Sequence, residues 1–385
     1  MSASPYRDAP FIVIWETTRA CDLACKHCRA AAIPQRHPGD LSTDEARALI
    51  DDIAGMLPQP NFVLTGGDPM KRPDLEEIIR YAAKERGLRI SITPSATPLV
   101  TRDRMRACAE AGLARWAFSL DGATAEAHDF FRGQEGSFAI TLKAIEELKA
   151  LGLPLQINTT VSRYNWESLA AIGQRVEEFG TSLWSLFFLV PVGRGKVDDA
   201  LGPRETEAVL HWLYSYAETS RCDVKTTEAP QWRRLRQEIG TLPETGRRGP
   251  VGDAIGRAPK PISDGDGFIF VSHKGEVYPS GFLPVLVGNV REAPLSEIYQ
   301  RSEVLIALRD RSRLRGKCRL CEFREVCGGS RARAYAITGD YLESDPYCPH
   351  LPEPQYGYRQ VRADVRRLRE ADPPAAQPTS PTAGP

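Results

Sequence analysis

The chain has 385 residues, 50 Lys+Arg balanced by 50 Asp+Glu, and 42% hydrophobic residues. That length suits one large domain plus a smaller one, and the balanced charge supplies no global field to gather nucleic acid or an anionic membrane. No apolar run reaches the roughly 18 residues of a membrane span, and the opening MSASPYRDAP lacks the apolar core of a signal segment, so a cytoplasmic protein is expected.

After residues 1–10, a short lead-in, FIVIWETT reads as a first buried strand. Directly behind it stands ACDLACKHC, in which Cys21, Cys25 and Cys28 are spaced C-x3-C-x2-C. An iron–sulfur cube normally takes four Cys thiolates, so a set of three leaves one iron open to a small molecule. The amino and carboxylate groups of S-adenosylmethionine (SAM) can chelate such an iron, and reductive cleavage of the sulfonium then yields an adenosyl radical. Structural or zinc-binding thiols are the bland alternative, but zinc sites more often pair C-x2-C with a further Cys or His.

The chain continues as alternating strands and helices. NFVLTGG, LRISITPS, RWAFSLDG, LQINTTV and LWSLFFLVPV bring the buried strands to six. Between them lie amphipathic stretches such as STDEARALIDDIAGML, where Ser42 or Thr43 can cap the helix and Glu45 sits in its first turn. RPDLEEIIRYAAKE, TRDRMRACAEAG and SFAITLKAIEELKALG follow, each helix closed or followed by glycine. Such βα repeats predict an α/β fold, a partial (βα)6 TIM-type barrel, with ligands at the C-terminal strand ends.

Chemically unusual residues fall at those ends. Gly66 and Gly67 let backbone approach a ligand, and Asp68-Pro69 closes the turn. Ser91, Thr93 and Ser95 follow the third strand, and Ser119 and Asp121 the fourth. Their hydroxyls and carboxylate can hold ribose and the methionine head, or equally cap helices. Asn158, Thr160 and the run Val190 to Arg194, which includes Val192, complete the rim.

These motifs resemble the radical SAM enzymes: a C-x3-C-x2-C after the first strand, GGDP in place of the family's GGE-P, and SLDG and NTTV at later strand ends. His27 stands where the family carries an aromatic residue near adenine, and Asp68 supplies the usual acidic position. The resemblance, spanning roughly residues 10–200, implies SAM contacts from His27, Gly66, Gly67, Asp68, Pro69, Ser95, Ser119, Asp121, Arg132, Asn158 and Val192.

GPRETEAVLHWLYSYAETS reads as a helix, and the Gly-, Pro- and Arg-rich stretch 241–261 as a loop, either a lid or a plain connection. GFIFVSHKGEVYP reads as a hairpin turning at Lys274-Gly275. Next come Cys318, Cys321, Cys327 and Cys348, enough thiolates to saturate a tetrahedral metal or a full cube. Nine cysteines, odd in number and mostly clustered, argue for metal ligation in a reducing compartment over disulfides. Of the two left over, Cys108 reads as a small buried hydrophobe and Cys222 begins a strand; neither is assigned catalysis. The end, an amphipathic QVRADVRRLREA followed by PPAAQPTSPTAGP, reads as a packed helix and a disordered tail.

The second cysteine group resembles the SPASM extension behind many radical SAM domains, which often holds two auxiliary [4Fe–4S] clusters. Here Ser280 and Arg331 stand where further ligands would be expected, which leaves one auxiliary cluster; structural zinc, or a labile second cluster using Ser280, are the alternatives. The boundaries drawn are a barrel at 11–200, a helical linker and loop at 201–265, an auxiliary-cluster domain at 266–350 and a tail at 351–385. A four-Cys cluster has no open iron, so electron transfer and net oxidation follow, such as a decarboxylation.

PVGRG and GGSRARAYAITGD most resemble the heme-pathway members that act on tetrapyrrole propionates, and the alternative is a peptide-modifying member. Trp184, Phe187 and Phe188 with Arg132 and Arg194 would suit a flat, carboxylate-rimmed substrate, unless the rings are simply core. Residues 1–10 leave no room for the N-terminal recognition domain common in peptide modifiers. The resemblance also implies a low-potential donor such as flavodoxin or ferredoxin. A non-catalytic iron–sulfur electron carrier is the third reading, and the GGDP and strand-end motifs argue against it.

Overall fold

The computed structural model describes residues 4–240, 255, 258 and 260–352. Most of the 241–261 loop, and the C-terminal helix and tail, lie outside the described residues. Six strands occur as the pattern predicts: β1 (Ile12–Glu16), β2 (Asn61–Thr65), β3 (Arg89–Ile92), β4 (Arg115–Ser119), β5 (Leu155–Val161) and β6 (Leu183–Phe188). They pair in chain order, all parallel.

The sheet is wider than six. The strand that Cys222 leads into, β7 (Asp223–Thr227), extends it parallel to β6. At the other side, after β8 (Ser263–Asp264), β9 (Gly267–Val271) pairs parallel to β1. The C-terminal segment is therefore continuous with the barrel sheet. The hairpin follows, with β10 (Glu276–Tyr278) antiparallel to β9 and β11 (Gly288–Asn289) beside β10. Among the described residues β7 and β11 remain edges, so the sheet curves without closing.

Helices α1 (Thr43–Gly55), α2 (Leu75–Arg80, continued by a π turn), α3 (Arg102–Ala111), α4 (Ala125–Arg132), α5 (Ser137–Ala150) and α6 (Leu169–Glu178) cover its outer face. Ser42, of the two candidate caps, starts α1, and with Glu45 forms a reciprocal capping box. Gly112 closes α3 at φ +109°, a conformation that costs any residue with a Cβ. Beyond the barrel come α7 (Pro203–Thr219), α8 (Gln231–Ile239), α9 (Leu295–Arg301), α10 (Glu303–Arg309), α11 (Gly316–Leu320) and α12 (Arg331–Thr338). No helix among the described residues is long and apolar enough to cross a membrane.

The pleat divides each strand. Val13, Trp15, Phe62, Leu64, Trp116, Phe118, Trp184 and Leu186 are buried in the core. Burying each contributes about 1.5–3 kcal/mol. The alternate residues, among them Asn61, Arg115, Gln156, Asn158, Ser185 and Lys225, line a cavity on the inner face. Polar inner positions distinguish this sheet from one packed on both faces.

Candidate functional site

The loop after β1 carries Cys21, Cys25 and Cys28, and its neighbours hold it by backbone contacts. Arg194 donates from Nε to the Cys25 carbonyl (2.8 Å), from Nη1 to the Ala32 carbonyl (3.1 Å), and from its backbone N–H to the Cys28 carbonyl (3.0 Å). A Cβ on Gly193 (φ +61°) would lie 2.3 Å from the carbonyls of Cys28 and Arg29, so only glycine fits there. Arg194 thus serves as a brace of the loop, with no place in the cavity lining.

The three cysteines are free thiols, and backbone N–H groups point at two of their sulfurs: Leu23 at Cys21 and Ala32 at Cys28, each 3.4 Å. Burial pushes the Cys25 thiol up to about 11, opposed by Arg132 and raised further by Cys28 and Cys21. Desolvated thiols that influence one another, with N–H donors and a guanidinium arranged to stabilise thiolates, suit a cationic iron–sulfur centre. His27 stacks on Phe131 with centroids 4.3 Å apart, and its buried Nδ1 has no hydrogen-bond partner among the described residues. Burial, then Arg132, holds this ring well below its ordinary value and therefore neutral. A flat neutral ring lining the cavity fits a stacked heterocycle.

The two glycines have a structural cause as well. A Cβ would come within 2.4 Å of the Thr18 carbonyl at Gly66 and 2.3 Å of the Ala20 carbonyl at Gly67. Both face the cavity, as does Ser95, whose Oγ donates to the Gly67 carbonyl (3.0 Å) and lies 3.3 Å from Cys21 Sγ. Asp68 lies behind them, fully buried. Its carboxylate accepts from the N–H of Met70 (3.1 Å), the N–H of Ser95 (3.3 Å) and the Thr97 hydroxyl (2.9 Å). It ties the end of β2 to the segment after β3, and burial pushes its carboxyl up to about 6. Pro69 opens the 3-10 turn Pro69–Lys71.

Ser119, Asn158 and Arg132 line the cavity, whereas Asp121 is buried beneath it. Asp121 accepts from Arg132 Nη1 (3.3 Å) and the Thr160 N–H (2.7 Å), which aims the guanidinium toward the cysteine loop. Val192 is half-buried against the core and takes no part in the lining. Phe187 and Phe188 line the cavity, but Trp184 is turned to the opposite pleat, where it packs on Trp212 and Tyr216 and donates to Thr159 Oγ1 (2.9 Å).

The cavity has a volume of about 1160 Å³ and runs from the cysteine loop down the inner face of the sheet. Among the described residues its lining includes Arg29, Arg115, Arg132, Lys225, Arg233, Arg236 and Lys260, with Asp223 as the acidic group. Phe187, Phe188, Phe268, Phe270, Phe282 and Trp232 supply aromatic wall. Arg29 sits over the Phe270 ring (4.4 Å) and pairs with Glu16 (3.0 Å). Sequence reasoning missed Asn61, Arg115, Lys225, Arg233 and Arg236. A polar residue at alternate positions of NFVLT, RWAFS and DVKTT was the available signal. Cys222 also lines the cavity, where burial pushes its thiol up to about 11; Cys108 lies in the core.

The second centre is built from α11 and two turns. Cys318 lies in α11, Cys321 ends it, and Cys327 and Cys348 stand on turns after Phe323 and Asp345. All four are free thiols. Burial pushes Cys327 up to about 12, with Cys348 and Cys318 raising it further. A Cβ on Gly329 (φ +68°) would lie 3.1 Å from Cys318 Sγ and 2.6 Å from Arg331 Nη2, so glycine lets the chain pass between them. This four-thiol set fits a saturated metal centre. Ser280 accepts the Phe282 N–H (3.2 Å) and closes a turn.

Comparisons with known proteins agree on a class. Residues 15–176 match the model of the Radical SAM superfamily, and residues 264–322 that of an iron-sulfur cluster-binding domain. The AdoMet-dependent heme synthase of Methanosarcina barkeri is 42% identical over 352 residues, covering 90% of this chain and 98% of that protein. The PqqA peptide cyclase of Rhodopseudomonas palustris is 30% identical over 366 residues, covering 89% and 88%. The crystal structure of Streptococcus suis SuiB bound to S-adenosylmethionine superposes with a TM-score of 0.69 at 13% identity, covering 89% and 78%, a shared fold.

Proposed function

Because the chain belongs to the radical SAM superfamily, with an iron–sulfur cluster-binding domain behind the barrel, we propose that it oxidatively modifies a tetrapyrrole side chain. The carrying observation is the cavity: cationic groups outnumber acidic ones along its lining, beside aromatic walls, under the three-cysteine loop. A flat macrocycle rimmed with carboxylates matches that lining, and the relative at 42% identity is named a heme synthase.

Cys21, Cys25 and Cys28 would hold a [4Fe–4S] cluster with an open iron, and Cys318, Cys321, Cys327 and Cys348 one auxiliary [4Fe–4S] cluster. When loaded, the first centre supplies reductive cleavage of SAM and hence a 5′-deoxyadenosyl radical, and the second takes up one electron. The chain's own residues do the positioning. Gly66, Gly67 and Ser95 open the backbone around the methionine head, Ser119, Asn158 and His27 border the nucleoside, and Arg132 offsets negative charge near the thiolates. Asp68, Pro69, Asp121 and Val192 act from behind. Lys225 and Arg236 are placed along the lining to receive substrate carboxylates.

Removal of one hydrogen atom from a propionate, then departure of carbon dioxide and one electron, leaves a vinyl group. The hydrogen would end on 5′-deoxyadenosine, and a cluster held by Cys318, Cys321, Cys327 and Cys348 would supply the one-electron acceptor. A low-potential flavodoxin or ferredoxin in a cytoplasmic setting would supply the reductant. Incubating reduced, reconstituted enzyme with SAM and an iron porphyrin bearing propionates should release carbon dioxide in step with 5′-deoxyadenosine. A peptide substrate is the second reading, favoured by the relative named a peptide cyclase. Hydrogen loss from a peptide without porphyrin decarboxylation would establish it instead.

A further inference from the structure

Arg331 is fully buried at the start of α12. Its Nε donates to the Gly329 carbonyl (3.2 Å) and its Nη1 to those of Tyr341 (3.0 Å) and Glu343 (2.6 Å). Nη2 is left aimed at Cys318 Sγ, 3.9 Å away. No carboxylate pairs with it among the described residues. Its helix neighbour Arg333 differs, because Asp345 lies 3.3 Å from that guanidinium and neutralises it. A buried charge without a counter-charge is strongly unfavourable, so the site as built calls for an anion at Cys318, and a thiolate supplies it.

A second guanidinium reaches the same centre from the cavity. Arg233 lines the cavity and donates to the carbonyl of Val326 (3.5 Å), the residue before Cys327. It also bonds the Ile262 carbonyl and has no carboxylate partner among the described residues. One cation without a paired carboxylate thus stands against a thiol, and a second against the backbone beside another. Their positions belong to different segments, α8 and α12, so neither follows from the local sequence of the other.

We propose that Arg331, assisted by Arg233, sets the auxiliary centre as an electron acceptor by raising its reduction potential. Reduction adds one negative charge to a cluster, and a hydrogen bond to a ligand sulfur together with nearby positive charge stabilises the reduced form. Arg331 lies four residues after Cys327, where a further thiolate would have added negative charge. A cation there has the opposite effect on the potential. The inference rests on reading the four thiols as a cluster site, and is independent of the substrate.

The test is a redox titration followed by electron paramagnetic resonance on full-length chain, anaerobically reconstituted, with Cys21, Cys25 and Cys28 changed to Ala. That background leaves about four irons, all in the auxiliary centre. Arg331→Met should lower the midpoint at unchanged iron content, and Arg331→Lys should keep most of the original value. A merely structural Arg331, bracing the carbonyls of residues 341 and 343, would leave the midpoint unmoved at full iron content, and that result overturns the proposal. If Arg331→Met loses iron, Arg331→Lys and Arg233→Met decide the matter. Arg233→Met lowering the midpoint, with Arg331→Lys retaining it, supports the proposal; an unmoved Arg233→Met midpoint overturns it. Zinc in place of iron at the four thiols also overturns it. A midpoint that does not move leaves porphyrin decarboxylation standing, since release of carbon dioxide in step with 5′-deoxyadenosine is measured separately.

Discussion

Gly67 and Asp68 show how one short motif serves two purposes. The glycine faces the cavity and also passes 2.3 Å, measured from an imagined Cβ, from the Ala20 carbonyl beside the first cysteine. Gly67→Ala should therefore cost about 2–4 kcal/mol, read as a fall in the urea midpoint, and should lower the iron retained. An unchanged midpoint would show that the Ala20 segment yields without cost. For Asp68 the prediction concerns pH. Its folded carboxyl titrates near 6, above the ordinary value of about 4, because burial disfavours the charge. A raised acid contributes stability that is fully present below about pH 4 and is lost as pH rises through 6. Asp68→Asn should flatten the wild-type decline in urea midpoint across that window. Parallel wild-type and variant curves would remove Asp68 as its source.

At the scale of elements, the Asp121–Arg132 pair joins the end of β4 to α4 under the cysteine loop, with both side chains nearly out of solvent. Arg132→Met leaves Asp121 as a buried, unpaired carboxyl and should cost about 3–5 kcal/mol. Adding Asp121→Asn should restore most of the stability and none of the SAM cleavage, because Arg132 also offsets charge at the thiols. Recovery of both would reduce the pair to a structural tie. The element pattern itself was legible: six strands and their helices follow from hydrophobic periodicity, and the capping box of α1 from Ser42 and Glu45. The strand after Cys222 was legible too. That β9 continues the barrel sheet beside β1 was not, because pairing between segments over 250 residues apart leaves no local trace.

At the scale of the molecule, two metal centres imply two separable losses. Iron after anaerobic reconstitution should be about eight per chain, falling to about four in the Cys21/Cys25/Cys28→Ala variant and, independently, in Cys318/Cys327→Ser. Zinc at the second set would make that domain structural and end the case for electron uptake there. The cavity lies against the first centre and is one side chain from the second: its lining includes Cys21, Cys25 and Cys28 and also Arg233, which donates to the carbonyl of Val326 beside Cys327. Arg233 is the side chain through which the cavity wall meets the second set of cysteines.

The sequence by itself determined the chemistry that depends on residue type and short spacing: two thiol sets, the glycines beside the first, the βα alternation and hence the radical SAM class. Those signals are local, since a ligand set or an amphipathic helix is written within a few turns of chain. Tertiary structure decided which strand-end residues face the cavity and which brace it from behind. Asp68, Asp121 and Arg194 look like ligands in the motif and act as struts in the fold, because a buried carboxylate or guanidinium must find partners before it can face a ligand. It also decided that Trp184 is core, through the pleat, and that Arg331 meets Cys318 through a backbone path that only Gly329 permits. Contacts of that kind depend on which distant segments share a volume, and spacing along the chain does not record it.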